Sequence, residues 1–149
     1  MTTDSGKHSF LFSKFVTKYD LMNEKVKYWV ELSDYDFDTA LAMQQSGRYL
    51  YVGFMCHQTI EKILKAYINS TSSEPAPYTH SISILAKRAN IYDSLSVEFK
   101  DFIDTIEPLN IEARYPSHKE RLLRSLSKER CEILLQNTKN LQQWIKEKL

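Results

Sequence analysis

Two groups of residues in this 149-residue chain have types that could bind or act on phosphate or wall a polar site. The first is Arg114, Tyr115 and His118, within the run LNIEARYPSH from Leu109 to His118. Cleaving RNA without a metal needs a base for the 2′ proton, an acid for the leaving oxygen and a cation for the charge gathering on phosphorus. Histidine suits such proton transfers near neutral pH, arginine grips phosphate in a planar fork, and tyrosine can stack on a base. The second group is the polar line Gln58, Glu61 and Lys65, with His57 one turn before Glu61 and His80 further along the chain.

Each group supports two interpretations. Glu61 and Lys65 stand at i and i+4 in the favourable order, so they can be a surface pair worth about 0.3 kcal/mol. Alternatively, Gln58, Glu61, Lys65 and His80 wall a polar site that the Arg114 segment completes. Arg114 can grip a ligand phosphate, or anchor the fold by pairing with Glu61 or another buried acid while His118 stays solvated. His80, close to a helix start, can equally be a packing or capping residue.

The elements that must position these groups are helical. From Gly47 to Ala66 the apolar residues Tyr49, Val52, Cys56, Ile60 and Ile63, continued by Tyr67, recur at steps of three and four, one stripe along a helix. Met55, Leu64 and Ile68 widen the stripe, which makes this helix central to a bundle. The helix before it is capped by Asn23 or Asp20 and turns Val26, Trp29, Val30, Ser33, Phe37, Ala40, Leu41 and Gln44 inward. Gly47 supplies the tight turn between the two, which predicts an antiparallel hairpin.

After the loop STSSEPAPY from Ser70 to Tyr78, Thr79 or Ser81 caps a shorter helix carrying Ile82, Leu85, Ala86 and Ala89, and Asn90 ends it. A further helix runs from about Ser96 to Ile106 and is closed by Pro108. Leu109 to His118 has no helical stripe and contains Pro116, so it is expected to cross between elements without forming a helix. Leu122, Leu123 and Leu126 suggest a helical turn or two, and the last helix runs from about Ser127 to Lys148. The expected fold is all-α: an up-and-down antiparallel bundle of four to five helices. Residues 21–149 form the domain, and residues 1–20 form a tail whose Phe10–Val16 segment can dock on the bundle or on a neighbouring molecule.

Composition narrows the function classes. Three glycines and four prolines are too few for the turns of an all-β fold. A net charge of +1 excludes strong non-specific attraction of the whole molecule to nucleic acid. The charges are nonetheless segregated: Asp20 to Asp38 is acidic, and Ile111 to Arg130 holds six bases against Glu112, Glu120 and Glu129. Glu31, Asp34 and Asp38 share one side of the first helix without a histidine nearby in sequence, so they are expected as a solvated face and no metal is assigned. No cofactor is expected. Cys56 and Cys131 form no C-x-x-C pair and are expected as buried free thiols in a reducing, cytoplasmic setting. No apolar run is long enough to span a membrane. Phosphate loops, zinc spacings, nucleophile elbows and recognition-helix patterns are absent.

Several segments in order resemble the HEPN domain (higher eukaryotes and prokaryotes nucleotide-binding domain). They are Asp36-Phe37 with Ala40, Gly47, Tyr49, Phe54, the run from Gln58 to Ala66 (QTIEKILKA), Thr79-His80 followed by Leu85, and Ala113-Arg114-Tyr115-Pro116. The likeness spans about Tyr28 to Trp144. It implies an up-and-down helical bundle, a homodimer, and association with nucleotide or RNA through Gln58, Glu61, Lys65, His80, Arg114 and Tyr115. It also implies a nucleotidyltransferase-like partner in a toxin–antitoxin pair. Active relatives are metal-independent ribonucleases in which an arginine is followed by four to six residues and then a histidine. Here Arg114 and His118 fill those roles with three residues between them, and Pro116 works against a helical turn that would join them. The alternatives are therefore a nucleotide- or RNA-binding domain, a ribonuclease using Arg114 and His118, and a non-catalytic structural or interaction module.

Overall fold

The computed structural model describes residues 23–112 and 114–149. The expectations for Asp20, for the tail and for its Phe10–Val16 segment lie outside the described residues. Helix α1 (Glu24–Gln45) starts at Asn23, whose side-chain oxygen accepts from the Val26 amide at 2.9 Å. It stops at Ser46, and Gly47 turns the chain at φ +72°, a conformation that L side chains rarely adopt. Helix α2 (Tyr49–Thr71) then returns antiparallel, tied to α1 where the Ser33 hydroxyl donates to the Thr59 carbonyl at 2.7 Å.

Helix α2 is central because its buried residues go well beyond one stripe. Val52, Cys56, Ile60, Ile63 and Leu64 are buried, and so are the polar residues His57, Gln58, Thr59 and Glu61. Next come α3 (Ile82–Arg88), a 3-10 turn at Tyr92–Ser94 and α4 (Val97–Ile106). Ser81 and Ser96 cap α3 and α4 by accepting from the backbone N–H three residues on. Asn90, at φ +58°, takes the left-handed position after α3. The last helix spans Lys128–Lys146 and is capped by Ser127. It runs beside α2 in the same direction, with the Cys131 thiol 3.8 Å from the Tyr49 carbonyl, and antiparallel to α1. Gln44 donates to the Lys128 carbonyl at one end, and Gln142 and Lys146 both reach Asp34 at the other.

The up-and-down bundle expected from the sequence is thus present in α1, α2, α3, α4 and the last helix. The segment Leu109–His118 differs from expectation. It holds a short helix α5 (Leu109–Glu112) and the start of α6 (Pro116–Ser125), which makes the last helix α7 (Lys128–Lys146). Pro116 opens a helix instead of breaking one: in the first helical position its missing N–H has no partner to lose, and its fixed φ already suits the helix. Two smaller differences concern α1. Leu41, expected inside, is 40% exposed, whereas Asp36 is buried and ion-paired with Lys62 of α2. The acidic face is also partly used, because Asp34 holds Gln142 and Lys146, and Glu31 lies 3.9 Å from Lys27.

Gly53 explains how α5 and the connection just before α7 come so close to α2. A Cβ there would lie 3.1 Å from a Leu109 methyl and 3.5 Å from a Leu126 methyl. Glycine inside a helix costs about 1 kcal/mol relative to alanine, so its presence here reflects close packing. We expect Gly53→Leu to lower stability by about 2 kcal/mol despite the gain in helix propensity. A urea-unfolding midpoint equal to or above that of the wild type would contradict this packing role.

Both cysteines are buried free thiols, and burial pushes Cys56 up to about 12 and Cys131 to about 11, which keeps them protonated and unreactive at neutral pH. Among the described residues no helix is long and apolar enough to cross a membrane.

Candidate functional site

The site is built outward from Glu61, a carboxylate on α2 that is 3% exposed. A buried carboxylate is tolerated when charge and hydrogen bonds compensate its lost hydration. One oxygen of Glu61 lies 2.6 Å from His80 Nδ1 and the other 3.9 Å from Lys65 Nζ. The pairing of Glu61 with Lys65 is therefore not a surface contact: the Lys65 side chain is 13% exposed, and its ammonium lies 5.3 Å from the centre of the Trp29 ring. His80 is more open, its side chain 58% exposed. With Nδ1 engaged by Glu61, Nε2 is the ring nitrogen left to meet a ligand.

The loop that carries His80 is clamped on its C-terminal side. The Glu107 carboxylate, at the end of α4, accepts from the backbone N–H groups of Ile82 at 2.9 Å and Ser83 at 3.0 Å. It thereby fastens the first turn of α3, where the helix dipole favours an anion. Across the site, Gln58 of α2 donates to the side-chain oxygen of buried Asn110 at 3.1 Å, which ties α5 to α2. From the end of α5 the chain turns at Arg114, whose backbone N–H donates to the Ile111 carbonyl at 3.0 Å. The Arg114 guanidinium lies 5.7 Å from the centre of the Phe54 ring, and among the described residues it forms no ion pair. Glu61 is already engaged elsewhere, so Arg114 is not the anchor of that acid.

These supports enclose a cleft of about 650 Å³, with His80 and Ser81 on one wall, Asp104 and Glu107 between, and Asn110, Arg114 and Tyr115 on the other. Arg114 and Tyr115 are exposed on it. Of the residues singled out from sequence, His80, Arg114 and Tyr115 line the cleft, while Gln58 and Glu61 hold its wall from behind. Lys65 lies on the other side of Glu61 and lines a separate hollow with Trp29 and Asn69. His118 lies in the first turn of α6, and its side chain is outside the described residues. Asn110, Asp104 and Glu107 carry no signal in the sequence, where nothing separates them from ordinary polar helix residues.

His57 sits among the same supports and is fully buried, with neither ring nitrogen hydrogen-bonded among the described residues. Burial pushes its imidazole from 6.5 down to about 4. The neighbouring His80, Arg114 and Lys65 charges push the same way, and the His80 backbone partly opposes them. His57 is therefore neutral at pH 7.

The arrangement offers a phosphate a guanidinium with no ion pair among the described residues, a histidine held by a buried acid, an aromatic ring for stacking, and the Asp104 carboxylate as an acceptor for a hydroxyl. Comparison with curated proteins gives no match. Among solved structures the fold is similar to that of TT1696 from Thermus thermophilus, with a TM-score of 0.73 and 20% identity over 86% of this chain and 100% of that one. At that identity the likeness concerns the fold alone. The sequence profile of the HEPN domain matches residues 26–149, a span that includes every helix after the first turn of α1 and all the cleft residues, and the chain therefore belongs to the HEPN domain family.

Proposed function

We propose that this HEPN domain binds a nucleotide or RNA phosphate in the cleft between His80 and Arg114. In this reading it works in the cytoplasm as a homodimer beside a nucleotidyltransferase-like partner, the arrangement that the family resemblance implies. The observation that carries the binding proposal is the exposed Arg114 guanidinium, free of an acid partner among the described residues and facing the same cleft as His80. Of the two acids that line the cleft, Glu107 is committed to the backbone of α3 and so does not compete for that cation, and Asp104 forms no ion pair with it among the described residues. Titration with adenosine 5′-monophosphate and a short single-stranded RNA tests this. Affinity should fall about tenfold on Arg114→Ala, the loss of one charge-assisted contact, and should weaken as salt is added. Absence of binding at low salt would remove the proposal.

A second reading, a metal-independent ribonuclease, is favoured by the hydrogen bond between His80 and Glu61, which orients the imidazole as a proton-transfer group needs. His118, in the first turn of α6, is the other candidate for that role. Incubating RNA with the protein in chelator, with His80→Ala and His118→Ala in parallel, separates the cases. Intact RNA with the wild type, or cleavage that neither substitution slows, would count against this mechanism.

A further inference from the structure

The hollow on the far side of Glu61 is used by neither reading. It measures about 190 Å³ and lies between Trp29 of α1 and the loop Pro75–Tyr78, with Lys25, Lys65 and Asn69 completing it. We propose that it is a second subsite, which takes the neighbouring nucleotide of a single-stranded oligonucleotide whose phosphate occupies the Arg114 cleft. This rests on the binding function proposed above and extends it from a mononucleotide to a strand.

Position is the first argument. The hollow and the cleft share one wall, because the loop that contributes Pro75 to Tyr78 to the hollow contributes His80 and Ser81 to the cleft two residues later. Two residues of extended chain span at most about 7 Å. Glu61 stands between the two sides, one carboxylate oxygen on His80 and the other toward Lys65. A strand crossing that ridge thus passes directly from one site to the other.

Chemistry is the second. Two lysines and no acid line the hollow, so it favours a polyanion. Trp29 and Tyr78 offer aromatic surface on which a base of any sequence can stack. Tyr78 is fully exposed, so core packing does not account for it. The side-chain amide nitrogen of Asn69 is buried without a hydrogen-bond partner among the described residues. Such a donor is destabilising until an acceptor meets it, and base carbonyls and ring nitrogens are acceptors. The volume admits a single ring system and excludes a folded peptide.

The test compares adenosine 5′-monophosphate with a single-stranded RNA hexamer on the wild type, Arg114→Ala and the double variant Lys25→Ala/Tyr78→Ala. Both double-variant positions are exposed, so the fold should be retained, and circular dichroism verifies this. The double variant should bind the hexamer about tenfold more weakly and the mononucleotide as tightly as the wild type does, whereas Arg114→Ala should weaken both. In a Trp144→Phe background, leaving Trp29 as the one tryptophan, the hexamer should quench fluorescence and the mononucleotide should not. Hexamer affinity unchanged in the double variant, or hexamer and mononucleotide weakened equally, would overturn the subsite while leaving the Arg114 cleft standing. Failure of the wild type to bind either probe would overturn the cleft itself, and the subsite with it.

Discussion

Replacing Glu61 with alanine should lower the stability of the bundle by about 3 kcal/mol, because removing one member of a buried charge cluster leaves its partners uncompensated. Lys65, 13% exposed, would keep its charge against the Trp29 ring without the carboxylate that balances it. His80, more than half exposed, would recover water readily, so its share of the loss is small. The consequence for His80 is positional: without the 2.6 Å contact its ring is free to rotate out of the cleft wall. Glu61→Gln keeps an acceptor for His80 and removes the charge, so its loss of stability should be smaller. Urea unfolding of the three proteins measures the order, and ring resonances of His80 report the release. Equal stability of Glu61→Ala and the wild type would show that the cluster contributes nothing to the fold.

Acidification should destabilise the wild type by about 3 kcal/mol between pH 6.5 and pH 4 through His57 alone, the equivalent of lowering its imidazole from 6.5 to about 4. The sign follows from the proton balance. Above pH 6.5 the ring is neutral in both folded and unfolded chains and contributes nothing to the pH dependence. Between pH 6.5 and 4 the unfolded chain takes up a proton that the folded chain refuses, so stability falls as pH falls. Below about pH 4 both forms are protonated and the loss from this residue is complete. Burial is the chief cause, the charges of His80, Arg114 and Lys65 add to it, and the His80 backbone partly opposes it. His57→Leu removes the titrating group and puts an apolar side chain in the same buried place. Urea unfolding at pH 7 and pH 4.5 should therefore show a smaller acid loss in the variant than in the wild type. An identical loss in the two proteins would mean that His57 is not what titrates.

Local signals were legible where a single residue has one strong physical role. Asn23 and Ser81, each one of two candidates in the sequence, cap helices as side-chain oxygens do, and Gly47 and Asn90 take left-handed conformations where a turn and a helix end are expected. The α2 stripe was legible because period and length agreed over five turns. Pro116 was ambiguous, since proline is excluded from a helix interior and favoured at its first position, and the difference depends on where the helix begins. Glu61 and Lys65 have the spacing of a surface pair and of a buried one. What distinguishes them is the cover supplied by His80 and Trp29, which are distant in sequence. For the same reason Asp36 gave no sign of being buried, since its partner Lys62 lies 26 residues away. The cleft depends on contacts between α2, α3, α4 and α5, and Asn110 joins it through Gln58, which is 52 residues away in sequence.

The central claim is where a ligand sits, and amide chemical shifts of the full chain during titration with a short single-stranded RNA test it most directly. The largest shifts should fall on His80, Ser81, Asn110, Arg114 and Tyr115, with little change where α1 meets α7 at Gln44 and Lys128. Saturable shifts confined to α1 and α7, with the cleft amides unmoved, would contradict the account.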